Sequence, residues 1–148
     1  MTGILDELDK GIVKLLAKDG RMSFTEIAEQ LNVTEKTIRS RYKNLTHQGI
    51  LKVTGVVNPV SVGVKVVALL QIAVNSGAFS DVRERLVGFP RVRFVTMTSG
   101  EYQFLIQVHQ KTYDQLTEFL KELNKITGIA RTNTIIQFEV YKNTFDYL

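Results

Sequence analysis

The stretch Ser23-Phe-Thr-Glu-Ile-Ala-Glu-Gln-Leu31-Asn-Val-Thr34-Glu-Lys-Thr-Ile38-Arg-Ser-Arg41-Tyr-Lys43-Asn-Leu45-Thr-His47-Gln-Gly49 decides how the first third of the chain folds. Ser23 followed by Glu26 is a capping-box pattern, and it predicts a short helix running to Leu31. Asn32 tolerates the left-handed conformation that a tight turn needs. Thr34 caps a second helix that reaches Gln48, with Gly49 as its stop signal. Ala28 is small where the two helices must approach, and Ile27, Leu31, Val33, Ile38 and Leu45 supply a core. Two short helices across a tight turn, the second basic, form a helix-turn-helix pattern. At about 100° per residue, Ile38, Tyr42 and Leu45 share one side of the second helix. Lys36, Ser40, Lys43, Asn44 and His47 share the other, flanked by Thr37 and Arg39. Arg41 falls on the boundary, where its stem packs while its head reaches a phosphate or an acid. Residues 34–52 hold Lys36, Arg39, Arg41, Lys43 and Lys52 against Glu35 alone, a net charge of +4 in 19 residues. A solvated helix face or a protein-docking bundle accounts for each feature singly. Together they fit duplex DNA, which offers phosphates on the groove walls and donor and acceptor patterns on its floor.

Working outward, Asp6 caps an earlier helix reaching Ala17, with Leu8, Ile12, Leu15 and Leu16 as its apolar stripe. Ile50-Leu-Lys-Val-Thr54 reads as a short strand or wing that would bring Lys52 near a DNA backbone. Asn58-Pro59 then divides the chain. The reading is a helix-turn-helix domain over 1–55, a linker over 56–63 and a second domain over 64–148. In the second domain, Lys65–Val74, Val92–Thr98, Tyr102–Val108 and Ala130–Val140 read as strands. Helices fall between the first and second strands and between the third and fourth. The later helix is capped by Thr112, with Tyr113, Leu116, Phe119, Leu120 and Leu123 facing inward and Thr127-Gly128 at its end. The order βαββαβ is the ferredoxin-like arrangement. Both faces of its sheet read as apolar. The helices cover one face, and a second copy of the chain is expected to cover the other.

Composition narrows the chemistry. The chain has 148 residues, 19 Lys and Arg against 15 Asp and Glu, and no cysteine. That excludes disulfides, thiol nucleophiles and thiolate metal sites. Only His47 and His109 are available as imidazoles, and they lack the paired spacing of a metal or acid–base site. No glycine-rich phosphate loop, GxSxG or HExxH occurs. No enzyme, cofactor or metal is expected. No apolar run reaches the roughly 18 residues of a membrane helix and no signal peptide is visible, so the expected location is the cytoplasm.

Many fixed spacings together resemble the Lrp/AsnC family of transcription regulators. They are Leu5-Asp-x-x-Asp9, Ile12, Leu15-Leu16, Asp19-Gly-Arg21, Ser23, Glu26-Ile-Ala28, Val33-Thr34, Thr37-Ile38, Arg41, Leu45, Gly49-Ile50, Asn58-Pro59 and Gly63. The resemblance implies an α+β chain: a winged-helix-like helix-turn-helix domain, then a βαββαβ ligand-sensing and oligomerisation domain. It implies duplex DNA as partner, with Ser23, Thr34, Lys36, Thr37, Arg39, Ser40, Arg41, Lys43 and Lys52 as DNA-binding residues. It also implies homodimers paired through the sheet and assembled further, up to an octamer. An amino-acid effector would sit between dimers, at Ser99, Gly100, Glu101, Tyr102, Gln103, Thr132 and Thr134. The family's turn ordinarily reads Gly-acid-aromatic-Asp, whereas this one is Gly100-Glu-Tyr-Gln103. An amide gives only neutral hydrogen bonds where a carboxylate would hold an ammonium by charge. Either the effector differs or the protein works without one, as a nucleoid-type architectural DNA binder. A βαββαβ fold also suits RNA, but Tyr102-Gln-Phe104 lacks the basic and aromatic interleaving of an RNA-reading strand.

Overall fold

The computed structural model describes residues 5–144 and 147. The chain forms two compact units, one built on the three N-terminal helices and one spanning Val57–Tyr141.

The first unit contains α1 (Glu7–Lys18), α2 (Phe24–Leu31) and α3 (Glu35–His47). Each starts on a side-chain cap that satisfies a free backbone N–H. Asp6 accepts from the Asp9 N–H at 2.8 Å, and Thr34 accepts from the Thr37 N–H at 3.2 Å. At α2 the capping box is complete: Ser23 accepts from the Glu26 N–H, and the Glu26 carboxylate accepts from the Ser23 N–H at 2.8 Å. Asn32 takes the left-handed conformation, φ 53°, in the turn from α2 to α3. Ile12, Leu16, Ile27, Ala28, Ile38 and Leu45 form the buried core. Gly11, within α1, makes close packing possible, since a Cβ there would lie 2.8 Å from Leu31 Cδ2.

The expected wing is absent: residues 51–58 form no strand. The N–H groups of Ile50 and Leu51 instead turn back onto the Leu45 carbonyl at 2.9 and 3.2 Å. A strand needs a ladder partner, and every regular element among the described residues of this unit is helical.

The second unit contains β1 (Val66–Val74), α4 (Phe79–Gly88), β2 (Val92–Met97), β3 (Phe104–Gln110), α5 (Tyr113–Leu123) and β4 (Ile129–Gln137). The sheet is antiparallel in the order β2-β3-β1-β4. Val66, Ala68, Leu70 and Ile72 of β1 and Phe104, Ile106 and Val108 of β3 alternate onto one face. There they form a single core with Val82 and Leu86 of α4 and Leu116, Phe119 and Leu123 of α5. Gly128, φ 101°, leads into β4 at a point where a Cβ would come within 2.6 Å of Ala78 Cβ.

Several expectations for this unit shift. Strand β3 begins at Phe104 rather than Tyr102. Strand β4 stops at Gln137, opposite Val67 near the start of β1, and Phe138 beyond it is 88% exposed. Helix α5 closes on Asn124, ahead of Thr127-Gly128, and Tyr113 at its first position lies outward. The uncovered face is not continuously apolar. One row across it reads Phe94, Gln107, Leu69, Ile135, and the next reads Thr96, Leu105, Gln71, Asn133. Amides alternate with apolar groups, and Asn133 donates to Gln71 at 2.8 Å.

Candidate nucleic-acid and effector surfaces

Helix α3 sets the first surface. Its inward stripe, Ile38 and Leu45, is buried, and helical periodicity turns Lys36, Arg39, Ser40, Lys43, Asn44 and His47 outward, all exposed. Thr37 is half-buried, and its hydroxyl lies 2.9 Å from that of Thr34. Lys52 is exposed beyond the helix. Ser23 belongs to a different element, and its hydroxyl is engaged by Glu26 at 2.7 Å.

The two boundary arginines differ. Arg41 is half-buried, and its Nη1 donates to Asp6 Oδ2 at 2.6 Å and to both Asp9 oxygens at 3.3 Å. It therefore ties α3 to the start of α1. The Asp9 N–H, together with the Arg41 guanidinium, holds the Asp6 carboxyl below the usual carboxylate range. The two aspartates in turn raise the proton affinity of Arg41. Arg39 is exposed but not loose. Its Nη2 pairs with Glu35, one turn earlier, and its guanidinium lies 5.2 Å above the Phe24 ring. The Glu35 carboxyl is lowered by the hydrogen bond from Arg39 first and by the Thr25 hydroxyl second. Sequence reasoning left out Phe24, Thr25 and Glu35. The spacing of four between Glu35 and Arg39 was the available signal.

The turn from β2 to β3 forms the second surface. Gly100 has φ 93°, a conformation that other residues rarely adopt. The Thr98 hydroxyl donates to the Tyr102 carbonyl at 2.7 Å, and the Thr98 N–H to the Gln103 carbonyl at 2.9 Å. The Gln103 N–H donates to the Ile72 carbonyl, and Gln103 Oε1 accepts from the Val74 N–H, both at 2.9 Å. Gln103 thus extends the edge of β1 past the last ladder pair. Glu101 meets Arg131 of β4 at 3.3 Å, and the Arg131 guanidinium lies 4.9 Å from the Tyr102 ring. Thr132 and Thr134 sit opposite Ile72 and Leu70, so they belong to the helix-covered side of the sheet, whereas Arg131 belongs to the open side. The turn is therefore gathered with Arg131, which only the strand register reveals. Open grooves of about 380 and 540 Å³ run along α4, and none of the predicted effector residues lines them.

Among the described residues no group of three or more His, Cys, Asp or Glu could hold a metal. No described helix is long and apolar enough to cross a membrane.

A three-helix unit presenting a basic helix, joined to a βαββαβ unit, defines a two-part DNA-binding regulator. Family models agree with both parts. The AsnC-type helix-turn-helix domain matches residues 5–46, and the Lrp/AsnC ligand binding domain matches residues 67–147. The chain belongs to the Lrp/AsnC family of DNA-binding transcription regulators, which are not enzymes. It is 37% identical over 145 residues to the HTH-type transcriptional regulator FL11 of Pyrococcus furiosus, covering 97% of this chain and 96% of that protein. The FL11 protein of Pyrococcus abyssi is 33% identical over 141 residues, covering 95% of this chain and 93% of that one. Among solved structures, AsnC of E. coli superposes with a TM-score of 0.87 at 25% identity, covering 95% of this chain and 96% of that one. A transcriptional regulator of Neisseria meningitidis, solved as an L-Met complex, shares the fold. Its TM-score is 0.88 at 21% identity, covering 96% of this chain and 95% of that one.

Proposed function

We propose that the chain binds duplex DNA sequence-specifically as a homodimer, with α3 of each subunit in the major groove. Lys36, Thr37, Arg39 and Ser40 meet base edges, while Lys43 and Lys52 hold phosphates. Thr34 lies at the start of α3, where backbone N–H groups favour a phosphate, whereas at Ser23 the Glu26 carboxylate already takes that place and leaves Ser23 a structural cap. Arg41 acts on DNA only indirectly, by holding α3 against α1. The dimer forms through the open sheet face, and its two helices meet half-sites about one helical turn, or a multiple of it, apart. Further pairing of dimers, up to an octamer, multiplies effective concentration along the DNA.

The carrying observation is the outward row Lys36, Arg39, Ser40 and Lys43, exposed and free of large apolar groups on a helix whose other side is buried. Arg39→Ala with Lys43→Ala tests it. Duplex affinity falls, and the slope of log affinity against log salt flattens by about 1 for each phosphate that the variant no longer neutralises. The assembly measured by light scattering stays the same. Unchanged affinity and slope would remove these residues from the interface.

For the sensing unit we propose a small amino-acid effector at the turn Ser99–Gln103, bound between dimers on the side of β4 that carries Arg131; Thr132 and Thr134 face the other side of that strand and lie outside this contact. The L-Met complex of the Neisseria meningitidis regulator supports this class of ligand. One observation favours a second reading, that of an effector-independent architectural protein. Gln103 carries no charge, and its oxygen already accepts from Val74. A scan of amino acids by melting temperature and light scattering separates the two readings. A ligand preferring one assembly shifts both readouts, and an architectural protein shifts neither.

A further inference from the structure

Phe24 and Glu35 converge on Arg39, and their arrangement bears on which base the helix reads. Glu35 is the one acid among the five cations of this segment; the helix dipole favours an acid in the first turn of α3, and there it also meets Arg39. Glu35 takes one edge of the Arg39 guanidinium and is itself held by the Thr25 hydroxyl at 3.1 Å. The guanidinium carbon of Arg39 lies over the Phe24 ring, 5.2 Å from its centroid, and that ring rests on Tyr42 with centroids 5.0 Å apart. The clamp thus spans α2 and α3 and is anchored on the helical core, to which both Phe24 and Tyr42 are packed. The Arg39 side chain is still 66% exposed.

We propose that Glu35 and Phe24 are positioning residues that hold Arg39 as a preset fork for guanine, giving each half-site a guanine preference. This rests on the reading of α3 as the duplex-facing helix. A phosphate is served equally well by a flexible ammonium and gains little from such a clamp. Guanine is different, since its O6 and N7 present two acceptors that match two parallel N–H groups of one guanidinium. A side chain already fixed on one edge and one face loses less freedom when it docks.

The test uses the full chain and duplexes selected by it from a randomised pool. The wild type prefers guanine at one position of each half-site by about tenfold or more over adenine. Arg39→Lys, which keeps the charge and loses the fork, abolishes that preference. Glu35→Gln keeps an acceptor for Thr25 and leaves the chain folded, with the circular dichroism spectrum of the wild type. It lowers the guanine preference about threefold or more and tightens binding to an unrelated duplex, because a negative charge has gone. Preferences at the other base positions persist, which a merely structural defect would not allow. Glu35→Gln with undiminished guanine preference, or with all positions weakened alike, overturns the clamp. So does a wild type that binds duplex without preferring guanine, although α3 would then remain a phosphate-binding face. A wild type with no duplex affinity overturns the reading of α3 as well.

Discussion

The outer face of α3 and the open face of the sheet are both left uncovered by their own chain, in opposite ways. The first exposes cations and hydroxyls, groups that water solvates well, and so it is stable as it stands. The second exposes apolar groups between amides, with Phe94 at 51% and Ile135 at 42%. Amides such as Asn133 and Gln71 satisfy each other across it. Such a face is solvated at a cost and gains when covered, and its amides lower that cost by hydrogen bonding. The DNA surface proposed for α3 can therefore be complete in a single chain, while the sheet face, as the proposed dimer interface, needs another copy.

The largest expected effect breaks the first half of that comparison. Ile38→Ala hollows the core beneath α3, where Ile38 is fully buried. We expect a loss of about 2–5 kcal/mol from the helical unit in chemical denaturation, and duplex binding lost with it. A cost under about 1 kcal/mol would mean that the face does not depend on that packing. Leu69→Asp breaks the second half. It places a charge in the row Phe94, Gln107, Leu69, Ile135 on a half-buried position. Light scattering at micromolar concentration should show monomers, with the circular dichroism spectrum kept; an unchanged assembly would place the interface elsewhere. Ser23→Ala sharpens the contrast more gently. It removes one half of the α2 capping box, should cost about 1 kcal/mol, and should leave association untouched.

The smallest effect concerns pH. His109 lies on the open face, opposite Val67, and burial first and Arg93 second lower its proton affinity. The folded chain thus binds this proton less readily than the unfolded one. Its contribution to stability is complete above the ordinary imidazole value of 6.5 and is lost as pH falls below it through the lower folded value. His109→Gln should flatten the denaturation profile over that window. A profile steepened or unmoved by the substitution would contradict the assignment.

Local chemistry explains what was readable from residues alone. Caps at Asp6, Ser23, Thr34 and Thr112 lie within three residues of the N–H groups they satisfy, and the spacing shows them. The two-residue period sorts β1 and β3 onto two faces, but both faces read as apolar, and only the packing of α4 and α5 shows which one is buried. The Arg41 pairing was less visible, because Asp6 and Asp9 lie more than 30 residues away. Residues 50–54 have strand-like composition, but a strand also requires a neighbour, which no propensity supplies. Phe24 was an apolar residue like any other until α2 crossed α3 and put its ring under Arg39.

The sequence by itself determined the run of helices and strands along the chain and the basic side of α3, because periodicity and capping act over a few residues. Only the tertiary structure decided which charges face each other and which face of the sheet stays open. It tied Arg41 to Asp6, set Arg39 between Glu35 and Phe24, closed Gln103 onto Val74, and sorted Arg131 from Thr132. Those pairings join residues that the chain keeps apart, and their energies exist only once packing has brought them within a few ångströms.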